Sequence, residues 1–262
     1  MPYANNNGVN IYYEVEGQGP PLVLAHGVNV NLNTWRRVGG YVDALRNDFQ
    51  LILFDARGHG QSDKPHDPAD YGTRMTDDVV SILDSMRIGK AHYFGYSMGA
   101  RIGLYTAAIH ADRFLSFILG GAGVIDEATS RARAEVTQSL VNLQKDRNAT
   151  LARREKGLGR LSTSEERAEA LAIDIEALLA LRSALSAMPE LTRQYLATIS
   201  VPCLLYCGDA DPRHAGTKEA TGYIPNARFV SLPGLDHGPA FSRSDLMLPH
   251  VKGFLATVSK NL

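Results

Sequence analysis

The chain has 262 residues, 44% of them hydrophobic and 21% charged. That balance excludes a disordered chain, and the length fits a single α/β domain carrying an insertion. Its 27 basic and 28 acidic side chains leave a formal charge of −1, so no summed field draws a polyanion such as nucleic acid or repels a small acidic molecule.

From the N-terminus, Met1 to Gly8 lacks the basic and apolar regions of a secretion signal. No apolar run reaches the ~18 residues of a membrane span. A cytoplasmic setting without nucleic-acid or membrane partners is therefore expected. Val9 to Glu14 alternates weakly, and Pro21-Leu22-Val23-Leu24-Ala25 is a short apolar run ended by His26-Gly27; both read as strands. A helix is expected around Trp35 to Leu45. The run Phe49 to Phe54 reads as a third strand, stopping at Asp55 before the loop Arg57-Gly58-His59-Gly60. Val79, Val80, Leu83 and Met86 then recur at helical spacing over 77–86. Ala91 to Phe94 is a strand that runs directly into Gly95-Tyr96-Ser97-Met98-Gly99, and Arg101 to His110, rich in Ala, Leu and Ile, is a helix. Phe114 to Leu119 is the next strand.

Between about 126 and 199 strands vanish, Ala, Leu, Arg and Glu dominate, and Gly157-Leu158-Gly159 interrupts. Two or more helices are expected there. The second is marked by Ser162 and Glu165 as a capping box, followed by Leu171, Ile175, Leu178, Leu179, Leu181 and Leu185 at helical intervals up to Pro189. Strands resume at Val201 to Cys207 and Ala227 to Leu232, and a helix closes the chain from about Ser244 to Val258. Short apolar strands alternating with helices predict an α/β fold with a doubly wound, mostly parallel sheet. Residues 1–125 and 200–262 would form its core and 126–199 a helical cap insertion. Cys203 and Cys207 share one strand, with Cα atoms about 13 Å apart, too far for a disulfide.

Chemistry concentrates at a few positions. Gly95 to Gly99 has the nucleophile-elbow pattern, in which a sharp turn between strand and helix pushes a serine hydroxyl beyond the sheet. Such a serine needs a base, and the base needs an orienting acid, in the chain order Ser, acid, His. Of the downstream histidines, His237 alone follows a strand in a glycine-bearing loop, Pro233-Gly234-Leu235-Asp236-His237-Gly238. His214 is its competitor, while His110 and His250 belong to helices. The acid comes from Gly208-Asp209-Ala210-Asp211-Pro212. Asp209 suits a turn that caps local amides, and Asp211, farther from the strand end, is favoured to reach the imidazole. The oxyanion hole would use the backbone N–H groups of Val28 and Met98. The segment Asp55 to Ser62 lacks the lysine and spacing of a phosphate loop and reads as a salt-linked structural turn.

At these residues the chain resembles the α/β-hydrolase family, in its cofactor-free branch of small esterases, lactonases, haloperoxidase-like perhydrolases and ring-cleavage-product hydrolases. The resemblance rests on Leu24 to Val28, Asp55 to Ser62, Gly95 to Gly99, Gly208 to Pro212 and Gly234 to Gly238, and covers nearly the whole chain outside 126–199. It implies Ser97 as nucleophile, Asp211 and His237 as its relay, no metal and no cofactor. Ser97 argues against the haloalkane and epoxide chemistries of relatives with an Asp nucleophile. Two departures stand out: Ala100 where a second glycine often follows the elbow, and Asp236 beside the base, where it would stabilise the imidazolium if close.

The expected activity is hydrolysis of a small or medium carboxylic ester or lactone through an acyl-enzyme on Ser97. Carbon–carbon bond hydrolysis or elimination on the same residues is the alternative, and a ligand-binding sensor with residual hydrolysis is the rival from another class. Arg131, Arg133, Arg153 and Arg154 would either meet an acidic substrate or form a solvated helix face, the second being favoured.

Overall fold

The computed structural model describes residues 2–148, 151–152, 155 and 163–260; Gly157-Leu158-Gly159, Ser162, Arg153 and Arg154 lie outside them. Eight strands form one sheet in the order β1-β2-β4-β3-β5-β6-β7-β8. They are β1 (Tyr3–Asn6), β2 (Val9–Glu16), β3 (Pro21–Ala25), β4 (Gln50–Phe54), β5 (Ala91–Tyr96), β6 (Phe114–Gly120), β7 (Cys203–Gly208) and β8 (Ala227–Leu232). From β4 through β8 every neighbouring pair is parallel; β2 alone runs against the rest, pairing antiparallel with both β1 and β4.

The two-residue period of these strands sorts their side chains onto two cores. Leu22, Leu24, Leu51 and Leu53 face one cluster with Trp35 and Tyr41, while Val23, Ala25, Ile52 and Phe54 face another with Val79 and Ile102. Burial on both faces explains why these strands read as continuous apolar runs. Each fully buried Val, Leu or Ile contributes about 1.5–3 kcal/mol of transfer free energy.

β1 is absent from the sequence reading because Tyr3-Ala4-Asn5-Asn6 has little strand propensity. It pairs with β2 through Asn6↔Val9, so Asn7-Gly8 is a two-residue hairpin loop with φ of 50° and 90°. That Asn-Gly pair was the available signal. The helix expected around Trp35 to Leu45 is two short ones, α1 (Thr34–Arg37) and α2 (Tyr41–Leu45), parted at Gly39-Gly40. The helix placed over 77–86 is α3 (Arg74–Ser85), and α4 (Met98–Ile109) follows the elbow.

Between β6 and β7 the described chain is helical: α5 (Glu127–Lys145), α6 (Ser164–Leu171), α7 (Ile175–Ala187) and α8 (Arg193–Leu196). The capping box is formed by Thr163 and Glu166, one residue beyond the expected Ser162 and Glu165. The leucine series also splits in two, because the Asp174 carboxylate accepts the Ala177 N–H and starts a new helix. Leu178, Leu181 and Leu185 of α7 join the same core cluster as Met75 and Ile102, so this helix is cemented to the sheet side. The chain finishes with α9 (His214–Tyr223), α10 (His237–Ser242) and α11 (Ser244–Ser259). Cys203 and Cys207 are buried free thiols. Among the described residues no helix is long and apolar enough to cross a membrane.

Candidate active site

β5 lies between β3 and β6 and delivers its last residue, Tyr96, directly into the turn. Ser97 there adopts φ 56° and ψ −108°, a conformation costly for any residue with a Cβ. Two backbone bonds hold it: the Ser97 N–H donates to the Gly120 carbonyl at 2.8 Å, and the Gly99 N–H to the His26 carbonyl at 3.1 Å. A Cβ on Gly99 would stand 2.2 Å from the Ala25 carbonyl oxygen, so only glycine lets the start of α4 lie this close to β3.

His237 is the first residue of α10, reached from β8 through Pro233 to Asp236. Its Nε2 lies 2.9 Å from Ser97 Oγ and its Nδ1 lies 2.6 Å from Asp211 Oδ2. Gly121, on the loop after β6, borders this ring; a Cβ there would sit 2.8 Å from His237 Cε1. The Tyr96 hydroxyl donates to the His237 carbonyl, so the residue before the serine braces the main chain of the imidazole-bearing residue.

Asp211 is buried, 3% exposed. Burial pushes its pKa up, but the hydrogen bond and charge of His237 and the backbone N–H and guanidinium of Arg213 more than offset this and hold it at about 2. Both Arg213 groups lie 3.0 Å from Oδ1. The Cys207 thiol, raised to about 12 by burial and then by Asp211, keeps its proton and donates to Oδ2 at 3.5 Å. The carboxylate thus stays ionised with each oxygen engaged.

The neighbouring candidates have other partners. Asp209 accepts the Gly234 N–H at 2.6 Å, and Asp236 accepts the N–H of His237 at 2.6 Å. The imidazole itself is engaged by Asp211. His214 bonds Ser231 Oγ at 2.9 Å, His110 meets Asp77 at 2.8 Å, and His250 lies on α11. The Asp55 to Ser62 turn is a hydrogen-bonded scaffold. Asp55 accepts the N–H groups of Leu32 and Gln61, each at 2.8 Å, and Arg57 reaches across to Asp78 of α3 at 2.7 Å.

Among the described residues, the N–H groups of Val28 and Met98 have no internal acceptor. Both residues line a cavity of about 350 Å³ together with Ser97 and His237. The Ser97 Cβ stands 3.5 Å from where a Gly27 Cβ would be, so the chain leading to Val28 runs alongside the serine. The remaining wall is largely apolar, with Val30, Val38, Ile125, Val136, Leu185 and Phe241, and it carries four arginines: Arg101, Arg133, Arg182 and Arg213. Of these the sequence reading singled out only Arg133. Arg131 is exposed and pairs with Glu127 at 3.1 Å on the solvent face. The signal for Arg101 was its place four residues past Ser97, on the helix the elbow starts. Arg182 carried no such signal, because its burial depends on how α7 docks. No group of three or more His, Cys, Asp or Glu residues that could hold a metal ion occurs among the described residues.

A sheet with this strand order, a strained serine between strand and helix, and an imidazole and carboxylate delivered from the last two strands define an α/β hydrolase. The family model for the α/β-hydrolase fold matches residues 20–243, and the chain belongs to that family of enzymes. Among relatives, 3-oxoadipate enol-lactonase 2 of Acinetobacter baylyi is 31% identical over 213 residues, 78% of this chain and 77% of that protein. An enol-lactonase crystal structure from Burkholderia xenovorans LB400 superposes with a TM-score of 0.78 at 28% identity, covering 97% of this chain and 100% of that one. A carboxylesterase from Nitrososphaera gargenis, at 23% identity, shares the fold with a TM-score of 0.82 over 100% of both chains.

Proposed function

We propose that this enzyme hydrolyses a carboxylic ester or lactone of small to medium size through an acyl-enzyme on Ser97. The observation that carries the reading is the hydrogen-bonded line from Ser97 Oγ through both nitrogens of His237 to the buried Asp211 carboxylate. It opens onto the apolar cavity. The similarity to enol-lactonases supports the reaction class.

His237 Nε2 takes the hydroxyl proton as Ser97 Oγ bonds to the carbonyl carbon. The carbonyl oxygen becomes an oxyanion facing the free N–H groups of Val28 and Met98. As the carbon–oxygen bond breaks, His237 returns the proton to the leaving oxygen. Water, deprotonated by the same nitrogen, then releases the acid and restores Ser97. Asp211, ionised at neutral pH, holds the Nδ1–H tautomer and stabilises the imidazolium formed in both half-reactions. Residues 126–199 act as the cap, since Thr129, Arg133, Val136, Arg182 and Leu185 close one side of the cavity.

A fluorophosphonate probe followed by peptide mapping tests the reading. We expect one covalent adduct at Ser97 and turnover of an ester and lactone panel that disappears in Ser97→Ala. Labelling at another residue, or unchanged turnover in the variant, overturns it.

A further inference from the structure

We propose that Arg101, Arg133 and Arg182 form a carboxylate-binding subsite within the Ser97 cavity, so that the substrate is an ester or lactone bearing a free carboxylate. The substrate class rests on the hydrolytic reading above, whereas the subsite itself does not.

The first observation is an imbalance of charge. Arg101, Arg133, Arg182 and Arg213 line the cavity, and no Asp or Glu does. Arg213 is matched by Asp211. The other three form no ion pair with a carboxylate among the described residues, although Arg101 and Arg133 share a second cavity with Glu190 and Glu219, and the residues outside the described set include no Asp or Glu. Their partners are neutral. The Leu185 carbonyl accepts from Arg101 Nη2 at 3.0 Å and from Arg133 Nη2 at 3.1 Å. Arg182 donates to Thr137 Oγ1 at 3.1 Å and to the Arg133 carbonyl at 2.6 Å.

The second observation is spare donor capacity. A guanidinium carries five N–H donors; in these bonds Arg101 and Arg133 use one apiece and Arg182 two. Arg101 Nε is buried with no partner, and its guanidinium carbon lies 5.9 Å from the centroid of the Tyr105 ring. Arg182 itself is 8% exposed. Burial first, and then the like charges of Arg101 and Arg182, bring Arg133 down to about 10, and burial also lowers Arg101 and Arg182. All three remain cations at neutral pH, gathered where each disfavours the others. The like charges repel one another, and an anion entering the cavity relieves that repulsion.

The third observation is position. Arg101 lies four residues after Ser97 on α4, about 6 Å of helix rise, and Arg182 and Arg133 approach from α7 and α5. An anionic group held there stands a few bonds from a carbonyl at Ser97. A planar carboxylate matches the guanidinium fork, and an apolar linker matches the wall between. The chemical class that follows is a half-ester of a short dicarboxylic acid, or a lactone with a pendant carboxylate.

The test compares p-nitrophenyl acetate with the mono-p-nitrophenyl ester of glutaric acid. We expect wild-type kcat/KM to favour the half-ester by tenfold or more, with the preference shrinking as salt is raised. In Arg101→Met and Arg182→Met the ratio of the two kcat/KM values should fall about tenfold or more. Free glutarate should inhibit turnover of the neutral ester competitively, while glutaramide should not, a measurement that needs no variant to fold. Equal turnover of both esters with no inhibition by glutarate overturns the subsite, and inhibition by inorganic phosphate in its place overturns the carboxylate assignment. If neither ester is turned over, the hydrolytic reading fails. Calorimetric titration of glutarate into Ser97→Ala then still decides the subsite: micromolar to millimolar binding supports it and absence of heat rejects it.

Discussion

Two regions of this molecule bury arginine, and they do so in opposite ways. Arg57, 2% exposed, meets the Asp78 carboxylate through Nε at 2.7 Å and again through Nη2, and gives Nη1 to the Asp70 carbonyl. Asn6 completes Asp78 with a bond of 2.8 Å. The pair ties the loop after β4 to α3 and leaves no charge uncompensated. Around Ser97, Arg182 is buried and Arg101 and Arg133 are half-buried, and their hydrogen bonds go to carbonyl and hydroxyl oxygens. A buried cation whose counter-charge is in the chain serves the fold. One whose counter-charge is missing is arranged for something that arrives later.

That division can be broken by substitutions that should affect only one side of it. The largest effect falls on chemistry: Ser97→Ala should lower kcat by about 10⁴-fold or more with little change in melting temperature, checked by steady-state kinetics beside thermal unfolding. Next comes the structural side. Asp78→Ala leaves Arg57 buried without its partner and should cost about 3–5 kcal/mol in denaturant unfolding, while the kcat/KM of the folded fraction is retained. A similar stability loss from removing a pocket arginine would erase the distinction.

A smaller effect concerns pH. The Asp211 carboxyl titrates near 2 in the folded protein against 3.8 ordinarily, so between those values the unfolded chain binds the extra proton. Stability conferred by the ionised carboxylate is complete above that window and is lost on acidification through it, amounting to about 2 kcal/mol. Unfolding followed from pH 5 to pH 2 should therefore show a steeper acid limb in wild type than in Asp211→Asn. The smallest change is expected for Arg133→Met, which removes one cation from a like-charged group and should leave stability unaltered or raise it by about 1 kcal/mol. A loss of 3 kcal/mol would show that Arg133 holds the helices together.

What the sequence disclosed follows the same division. The strands buried on both faces announce themselves as apolar runs, because every position faces a core. The elbow is legible because Gly95 and Gly99 bracket Ser97 between a strand and a helix. Asp211 and His237 are legible from their loops at the ends of the last two strands, and the structure sets Asp211 Oδ2 2.6 Å from His237 Nδ1. The arginine grouping was not legible. Arg101, Arg133 and Arg182 lie on three helices, and a charged residue on a helix reads as solvent-facing until the packing of α5 on α7 is known. The leucines of 171–185 read as one helix for a related reason: their periodicity survives the break at Ile173-Asp174, so only the cap at Asp174 shows where one helix ends and the next begins.

The backbone at Ser97 has a consequence for how the protein would respond to selection in the laboratory. With φ at 56° and ψ at −108°, the position suits glycine better than any residue with a side chain, and Ser97→Gly should gain about 1 kcal/mol by releasing that strain. A screen for heat resistance that never asks for turnover would drift toward glycine at 97, yielding a sturdier protein that no longer acts on its substrate.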